Sequence, residues 1–258
     1  FEDPFGVYTS ISKDNLASSI EIYDSLLVTL EKTPLIAESF FKLGEIQYKI
    51  LQDFDKAYVL FSNAMKNNPE KTLKLKIIRR IADVLMARGE YEEAKSFLSR
   101  QIKKHPMTKI EIQRILVHFL NDDPDSTLVM VDATLLNLAP LDPSFNDLME
   151  LKNIINKYYD SNPENKKAFK HFLKAESYLR QKKLGDAVQE LIFIKEKLPN
   201  TKVLPLVDLR LAILHFRLRD YDSALEYALD LSDTDLVDKG IILSGQIYEH
   251  NLKDSEKA

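Results

Sequence analysis

Residues 37–69 read AESFFKLGEIQYKILQDFDKAYVLFSNAMKNNP, two apolar-periodic segments that meet at a turn and end in proline. Apolar side chains recur there at three- and four-residue steps, which is the period of an α-helix. The first segment carries Gly44 and the second carries Ala57, with large side chains on either side. Glycine costs about 1 kcal/mol against alanine inside a helix. We therefore expect Gly44 to allow a close approach of two helix backbones.

The same small-residue and proline pattern returns at a spacing of about 34 residues. The further copies are residues 75–106, 168–199 and 205–233, with the small pairs Ala82 and Ala94, Ala175 and Ala187, and Ala212 and Ala224. Gly89 stands at the turn of the second copy, where a left-handed residue can end a helix. A period of this length predicts stacked helical hairpins, because no single unit can bury its apolar face alone.

These residues resemble the tetratricopeptide repeat, in a divergent form of bacterial type. The resemblance rests on a large residue before Leu43 and Gly44, an aromatic-rich turn such as Gly89 to Tyr91, an alanine, a large residue and a closing proline. It covers residues 37–258 with one interruption. It implies an all-α fold, a right-handed superhelical solenoid of antiparallel helix hairpins with about fourteen helices.

The repeats suggest a division of the chain into four parts. We expect an N-terminal segment with one helix of an incomplete repeat at 1–35, a first block of repeats at 36–140, a linker and unpaired helix at 141–163, and a second block at 164–258. A degenerate copy with Thr127 at its small position closes the first block. The unpaired helix should span about residues 144–159, and the superhelix should change direction there.

The last copy contains Gly245 and stops at Ala258, before the second helix of its hairpin. We expect the native protein to continue beyond this point, because a final helix normally needs a capping partner. Without one, the last repeat should expose an apolar face, and a dimer through that face is one expected consequence.

Composition restricts the class of partner. The formal net charge is −4, from 36 basic and 40 acidic residues, and no basic stripe is present, so nucleic-acid binding is not expected. No segment approaches the roughly 18 apolar residues of a membrane span, so no direct membrane insertion is expected. The chain has no cysteine and no visible signal peptide. The compartment stays open: a soluble protein of the cytoplasm and one of the periplasm or envelope both fit the sequence.

No motif for catalysis or for a cofactor is present. The five histidines, His105, His118, His171, His215 and His250, lie in different repeats without a partner at metal-ligand spacing. The acidic turn Asp122, Asp123 and Asp125 lacks the glycine and glutamate of a calcium loop. A helix start at Asp125 or Ser126 explains it better. With no phosphate loop, nucleophile elbow or metalloprotease pair, we predict no enzyme activity, no metal and no cofactor.

The resemblance also implies a binding surface, because the first helix of each repeat lines the concave face where family members bind peptides. The positions carried over are Glu38, Phe41, Glu45 and Tyr48, then Arg79, Asp83 and Met86, then Phe169, Phe172, Glu176 and Leu179, and finally Leu209, Ile213, Phe216 and Arg217. Phe41 and Glu45 stand where chaperone-binding members need Lys and Asn to clamp a terminal carboxylate. That mode of binding is therefore not expected.

The first block of this surface is mixed and partly acidic, whereas the second is apolar and aromatic. An apolar helix or extended segment docking near Phe172 and Phe216 would fit that difference. The same aromatic residues could instead pack in the core between first helices or against the helix near Ile155.

The leading prediction is a non-enzymatic scaffold or adaptor that binds a protein or peptide segment on its concave face. Two alternatives stay open at this point. One is a structural spacer or assembly module of a longer multidomain protein. The other is a regulatory domain that senses a peptide or small ligand, which requires a closed polar pocket.

Overall fold

Helices make up 81% of the protein. The structure is a computed structural model that describes residues 13–29, 34–104 and 107–252. These residues form thirteen α-helices and no β-strand. Helices α1 to α7 span Lys13–Thr29, Pro34–Ile46, Phe54–Lys66, Lys71–Ala87, Tyr91–Lys104, Thr108–Leu120 and Pro124–Leu135. Helices α8 to α13 span Pro143–Tyr158, Pro163–Arg180, Leu184–Lys197, Leu204–Arg217, Tyr221–Leu229 and Val237–Gln246.

Short π-helical segments, Gln47–Leu51 and Ile247–Leu252, continue α2 and α13. The all-α repeat architecture predicted from the sequence is confirmed. Residues 105–106 and 253–258, which include His105 and the end of the last predicted repeat, lie outside the described residues.

The chain divides into two compact units, residues 1–118 and 119–258. In unit 1, α2 packs on α3, α3 on α4 and α4 on α5, and α1 contacts α2. In unit 2, each helix from α7 to α13 contacts the next one along the chain. Packing between sequence neighbours is the arrangement that stacked hairpins use to bury a continuous core.

The small residues of the repeats lie where the helices of each hairpin meet. Gly44 is buried, and the seven alanines have no exposed surface, namely Ala57, Ala82, Ala94, Ala175, Ala187, Ala212 and Ala224. Thr127, at the small position of the degenerate copy, is also fully buried. This burial agrees with the close approaches predicted from the sequence, and the contact of Gly44 with Phe61 shows one of them directly.

Gly44 gives a direct test of this close packing. A Cβ atom at this position would lie 2.5 Å from Cε1 and 2.7 Å from Cδ1 of the Phe61 ring, which is itself fully buried. We expect Gly44→Ala to lower the free energy of unfolding by about 1–2 kcal/mol, because the cost of overpacking exceeds the gain in helix propensity. Urea denaturation followed by circular dichroism measures the change.

Gly185 on α10 is the matched control for this substitution. A Cβ atom there would meet nothing within 4 Å. We expect Gly185→Ala to leave stability unchanged or raise it by up to about 1 kcal/mol. An equal loss of stability in both variants would show that the Phe61 contact does not limit residue 44.

The turns between the helices of a hairpin share a left-handed residue. Gly89 has a φ of 80° at the position predicted from the sequence, and Gln52, Asp122, Lys182 and Arg219 have φ values of 54°, 56°, 61° and 62°. After Gly89, the Glu90 N–H donates to the Leu85 carbonyl at 2.8 Å, which closes the end of α4. Glycine is the residue that adopts this conformation without strain, but the repeats use it only once.

Aspartates begin several of the second helices. Asp53, Asp123 and Asp220 each accept a backbone N–H three residues ahead, at 3.0, 3.1 and 3.3 Å. The acidic turn is thus a helix start as predicted, although the helix begins at Pro124 and not at Asp125 or Ser126. Asp123 is the cap, because Pro124 has no N–H to satisfy and begins α7.

Helix α8 occupies the place of the expected unpaired helix. It begins at Pro143, and the Asp142 carboxylate accepts the Ser144 N–H at 2.8 Å. Within unit 2, α8 packs on α7 and also contacts α9. Its carboxyl end carries Tyr158 and Tyr159, which place aromatic rings beside α9.

Candidate protein-binding surface

The first helices of unit 1, α2, α4 and α6, are joined by a network of polar side chains. Arg80 on α4 donates from Nε to Glu45 Oε1 on α2 at 2.5 Å. Its Nη1 donates to Asp83 Oδ2 at 2.9 Å. Asp83 Oδ1 accepts from Gln113 Nε2 on α6 at 2.7 Å. The network therefore links three successive first helices through their side chains.

The aromatic and basic side chains beside this network strengthen it. The Arg80 guanidinium lies 5.7 Å from the centre of the Tyr48 ring. Lys49 Nζ lies 2.6 Å from Glu45 Oε2. Burial of the Glu45 carboxyl raises its pKa, but hydrogen bonds from Lys49 and Arg80 more than offset this, so the pKa of Glu45 lies below its ordinary value.

The seven surface positions predicted in unit 1 fall into three groups by exposure. Exposed positions are Glu38 and Arg79; half-buried positions are Glu45, Tyr48 and Asp83; buried positions are Phe41 and Met86. Phe41 packs on Phe61 with ring centres 5.6 Å apart, and Met86 has no exposed surface. Phe41 and Met86 thus belong to the core of unit 1, and they offer a partner almost no surface.

In unit 2 the predicted positions again divide by exposure. Arg217 is exposed; Glu176, Leu179, Leu209 and Phe216 are half-buried; Phe169, Phe172 and Ile213 are buried. Phe169 has no exposed surface, and Phe172 and Ile213 are only 8% and 4% exposed. These three side chains therefore pack in the core, which is the second of the two roles considered for the aromatic residues.

Phe169 is the centre of an aromatic cluster. Its ring lies 6.1 Å from Phe119, 6.3 Å from Tyr158, 6.1 Å from Tyr159 and 6.4 Å from Phe172. Within unit 2, the cluster joins Phe119 and the carboxyl end of α8 to α9. Tyr159 also donates from its hydroxyl to Asp125 at 3.0 Å, and burial together with this carboxylate raises the pKa of Tyr159 to about 12.

An ion pair between first helices recurs in unit 2. Arg210 Nε on α11 lies 2.5 Å from Glu176 Oε1 on α9, a distance within ion-pair range, although the geometry is not that of a hydrogen bond. Glu45 and Glu176 each follow the small residue of their helix, and Arg80 and Arg210 each stand two residues before the small residue of the next first helix. The same register therefore joins neighbouring repeats in both units.

The surface predicted from the sequence did not include several basic side chains of the first helices. Arg80 and Arg210 were not among the predicted positions, nor were the exposed Lys42, Lys76 and Lys109 of the first helices. The recurring spacing of a carboxylate and an arginine around the small residues was a readable signal for the two arginines. No such recurrence marks the lysines.

Metal binding and membrane spanning find no support in the described residues. Within 13–29, 34–104 and 107–252, no three His, Asp or Glu side chains lie where they could hold a metal ion. His105 and the side chain of His250 are outside what is described. None of the described helices combines the length and apolar character needed to cross a bilayer.

Residues 51–116 match the family model of the tetratricopeptide repeat. This segment of the chain is similar to tetratricopeptide repeats. The matched segment covers α3, α4 and α5 and enters α6, so it includes the Arg80–Asp83–Gln113 part of the polar network. No curated protein matches the chain.

Tetratricopeptide repeats commonly mediate protein–protein interactions, and proteins built from them are typically non-enzymatic scaffolds. In this chain the repeats have buried small residues, helices that pack on their sequence neighbours and turns with a left-handed residue.

Proposed function

We propose that this protein is a non-enzymatic scaffold or adaptor that binds a protein or peptide segment along the first helices of its repeats. The proposal is carried by the match of residues 51–116 to the tetratricopeptide repeat, together with exposed side chains on the first helices of the repeats. Glu38 and Arg79 in unit 1 and Arg217 in unit 2 are exposed at positions of the predicted surface. Glu38 and Arg79 can therefore meet a partner without any change in the core.

Five of the predicted surface positions are buried in the core and offer a partner almost no surface, namely Phe41, Met86, Phe169, Phe172 and Ile213. The positions that remain are polar or half-buried, chiefly Glu38, Tyr48, Arg79, Leu209, Phe216 and Arg217. Aromatic anchors supply much of the energy in protein interfaces, so Phe216 and Tyr48 are the expected contact points. Half-burial keeps both rings in fixed positions before binding, which lowers the entropic cost.

Site-specific photo-crosslinking tests the proposal. A photoreactive benzoylphenylalanine replaces Glu38 on α2 or Arg217 on α11 in two separate proteins. The matched controls replace Glu93 on α5 or Glu226 on α12, which are exposed on second helices. Substitution at exposed positions changes stability by less than about 0.5 kcal/mol, so all four proteins should fold. Circular dichroism melts confirm that before the proteins are irradiated in extract of the source cells.

We expect the first-helix positions to give protein adducts that mass spectrometry identifies, and the second-helix positions to give none above background. Adducts formed mainly at Glu93 or Glu226 would move the interface to the second helices and overturn the proposal. An absence of adducts at all four positions would argue against a scaffold role for this part of the chain.

A further inference from the structure

Unit 1 presents a face whose carboxylates are already occupied. Glu45 contacts Lys49 at 2.6 Å and Arg80 at 2.5 Å. Asp83 contacts Arg80 at 2.9 Å and Gln113 at 2.7 Å. The side chains of Glu45 and Asp83 are only 19% and 15% exposed. The partly acidic character expected of this face is therefore neutralised within the protein.

Four cations stand one helical turn before this network, and we call them the basic row: Lys42 on α2, Lys76 and Arg79 on α4, and Lys109 on α6. Residues three or four apart lie on the same side of a helix. Lys42 precedes Glu45 by three residues, and Lys76 and Lys109 precede Arg80 and Gln113 by four. The row therefore follows the network across the same three helices.

The basic row is exposed and forms no ion pair with the described part of the chain. All four side chains are exposed, and none pairs with the carboxylate of another described residue. On α2, α4 and α6, the carboxylates of Glu45 and Asp83 belong to the network, and Glu111 binds Arg114 at 2.6 Å. Glu38 is the one carboxylate of these described helices without an ion pair to a described residue. Positive charge thus dominates what this face offers to a partner.

We propose that unit 1 binds an acidic segment of a protein partner, whose carboxylates pair with the basic row. This inference rests on the proposed function and names the chemistry of the segment. Adjacent packed helices lie about 10 Å apart, and an extended chain advances about 3.3 Å per residue. Acidic residues about three positions apart would therefore meet successive first helices.

Internal carboxylates of the partner fit this face better than other anions. A terminal carboxylate clamp needs Lys and Asn where Phe41 and Glu45 stand, and Glu45 is already paired with Arg80. A nucleic acid needs a longer run of cations than four, and the chain as a whole carries a net charge of −4. An acidic protein segment requires only that the charge of the basic row complement the carboxylates of the segment itself.

Fluorescence anisotropy with a defined probe tests the inference. The probe is a labelled, amidated peptide with glutamate at every third position, and its matched control has glutamine at those positions. The row variant is Lys42→Glu with Lys76→Glu and Arg79→Glu. The control variant is Lys66→Glu with Arg100→Glu and Lys103→Glu, which makes the same charge change at exposed positions on the second helices α3 and α5.

We expect the row variant to bind the acidic peptide at least about tenfold more weakly than the unchanged protein, since three surface ion pairs are lost and replaced by repulsion. The control variant should differ by less than about threefold, because exposed charges beyond a Debye length are largely screened. Affinity should fall as salt is added. Circular dichroism of both variants must first show unchanged helicity.

Three results would overturn the inference. They are no binding of the acidic peptide, equal binding of the glutamine peptide, or equal losses in the two variants. Tighter binding of an oligothymidylate than of the peptide, with the same dependence on the row, would assign the row to nucleic acid instead. In each of these cases, photo-crosslinks from residue 38 to a protein would preserve the scaffold proposal. Only the inference that the bound segment is acidic would then be rejected.

Discussion

Phe169→Ala should lower the free energy of unfolding of unit 2 by about 3–5 kcal/mol. The ring is fully buried and has four aromatic neighbours with centres between 6.1 and 6.4 Å away. Removing the ring leaves a cavity within unit 2 between Phe119, α8 and α9. The lost ring–ring contacts add to the cost of the lost buried apolar area. The effect is expected although Phe169 lies on a first helix, where the family resemblance implied a binding role.

Hydrogen exchange measured by mass spectrometry, together with urea denaturation, checks this result. Exchange should accelerate in α8, α9 and α10 but stay unchanged in α3 and α4 of unit 1. The control is Phe216→Ala, also on a first helix but half-buried beside Tyr221, where we expect a loss below about 1.5 kcal/mol. Equal losses in the two variants would show that the aromatic cluster adds nothing to ordinary burial.

Lys195→Met should destabilise unit 2 by about 2–3 kcal/mol at neutral pH. Lys195 on α10 contacts Asp208 on α11 at 2.7 Å and Asp230, just after α12, at 2.6 Å. The Asp208 side chain is only 7% exposed, so the variant leaves a buried carboxylate without its cation. The Lys195 side chain is 33% exposed, and for that reason we expect less than the full cost of breaking a buried pair.

The dependence of this loss on pH identifies its cause. Burial raises the pKa of Asp208 and the hydrogen bond from Lys195 offsets this only in part, so the pKa stays above its ordinary value. A carboxyl whose pKa is higher in the folded state binds its proton more tightly there, so folding is favoured as the pH falls through that pKa. The deficit of Lys195→Met should therefore shrink at mildly acidic pH.

A second substitution provides the control for that interpretation. Asp208→Asn added to Lys195→Met should recover most of the lost stability at neutral pH and remove the extra dependence on pH, because no buried charge remains. Urea denaturation at several pH values measures both effects. A deficit that stays constant with pH would assign the loss to the packing of the lysine stem rather than to the charge of Asp208.

The hairpins and their close approaches were predictable from residue spacing. Gly44, Gly89 and the paired alanines were placed correctly because local rules govern them. A helix has one period, a turn needs a particular backbone conformation, and small residues that recur at a fixed interval mark the places where helices approach closely. The start of α7 was predicted slightly too late in the chain, since several residues of the acidic turn could each have begun the helix.

The candidate surface was less predictable. The surface positions were predicted from equivalent positions in the family that the chain resembles. They included Phe41, Met86 and Phe169, yet all three side chains are buried. A first helix has one face toward its own hairpin and another toward its neighbours, and adjacent positions can fall on either side of that boundary. Which side applies depends on the angles between helices, and residue spacing does not contain them.

The sequence by itself determined that this chain forms helical hairpins, where their helices meet and where their turns lie, because each of these follows from interactions within about one repeat. Only the tertiary structure decided which charges remain for a partner. Glu45, Asp83 and Glu176 looked like acidic surface positions, and they proved to bind Arg80, Gln113 and Arg210 on the next first helix. Ion pairing across repeats depends on distances between side chains far apart in the chain, and such distances exist only once the hairpins have packed.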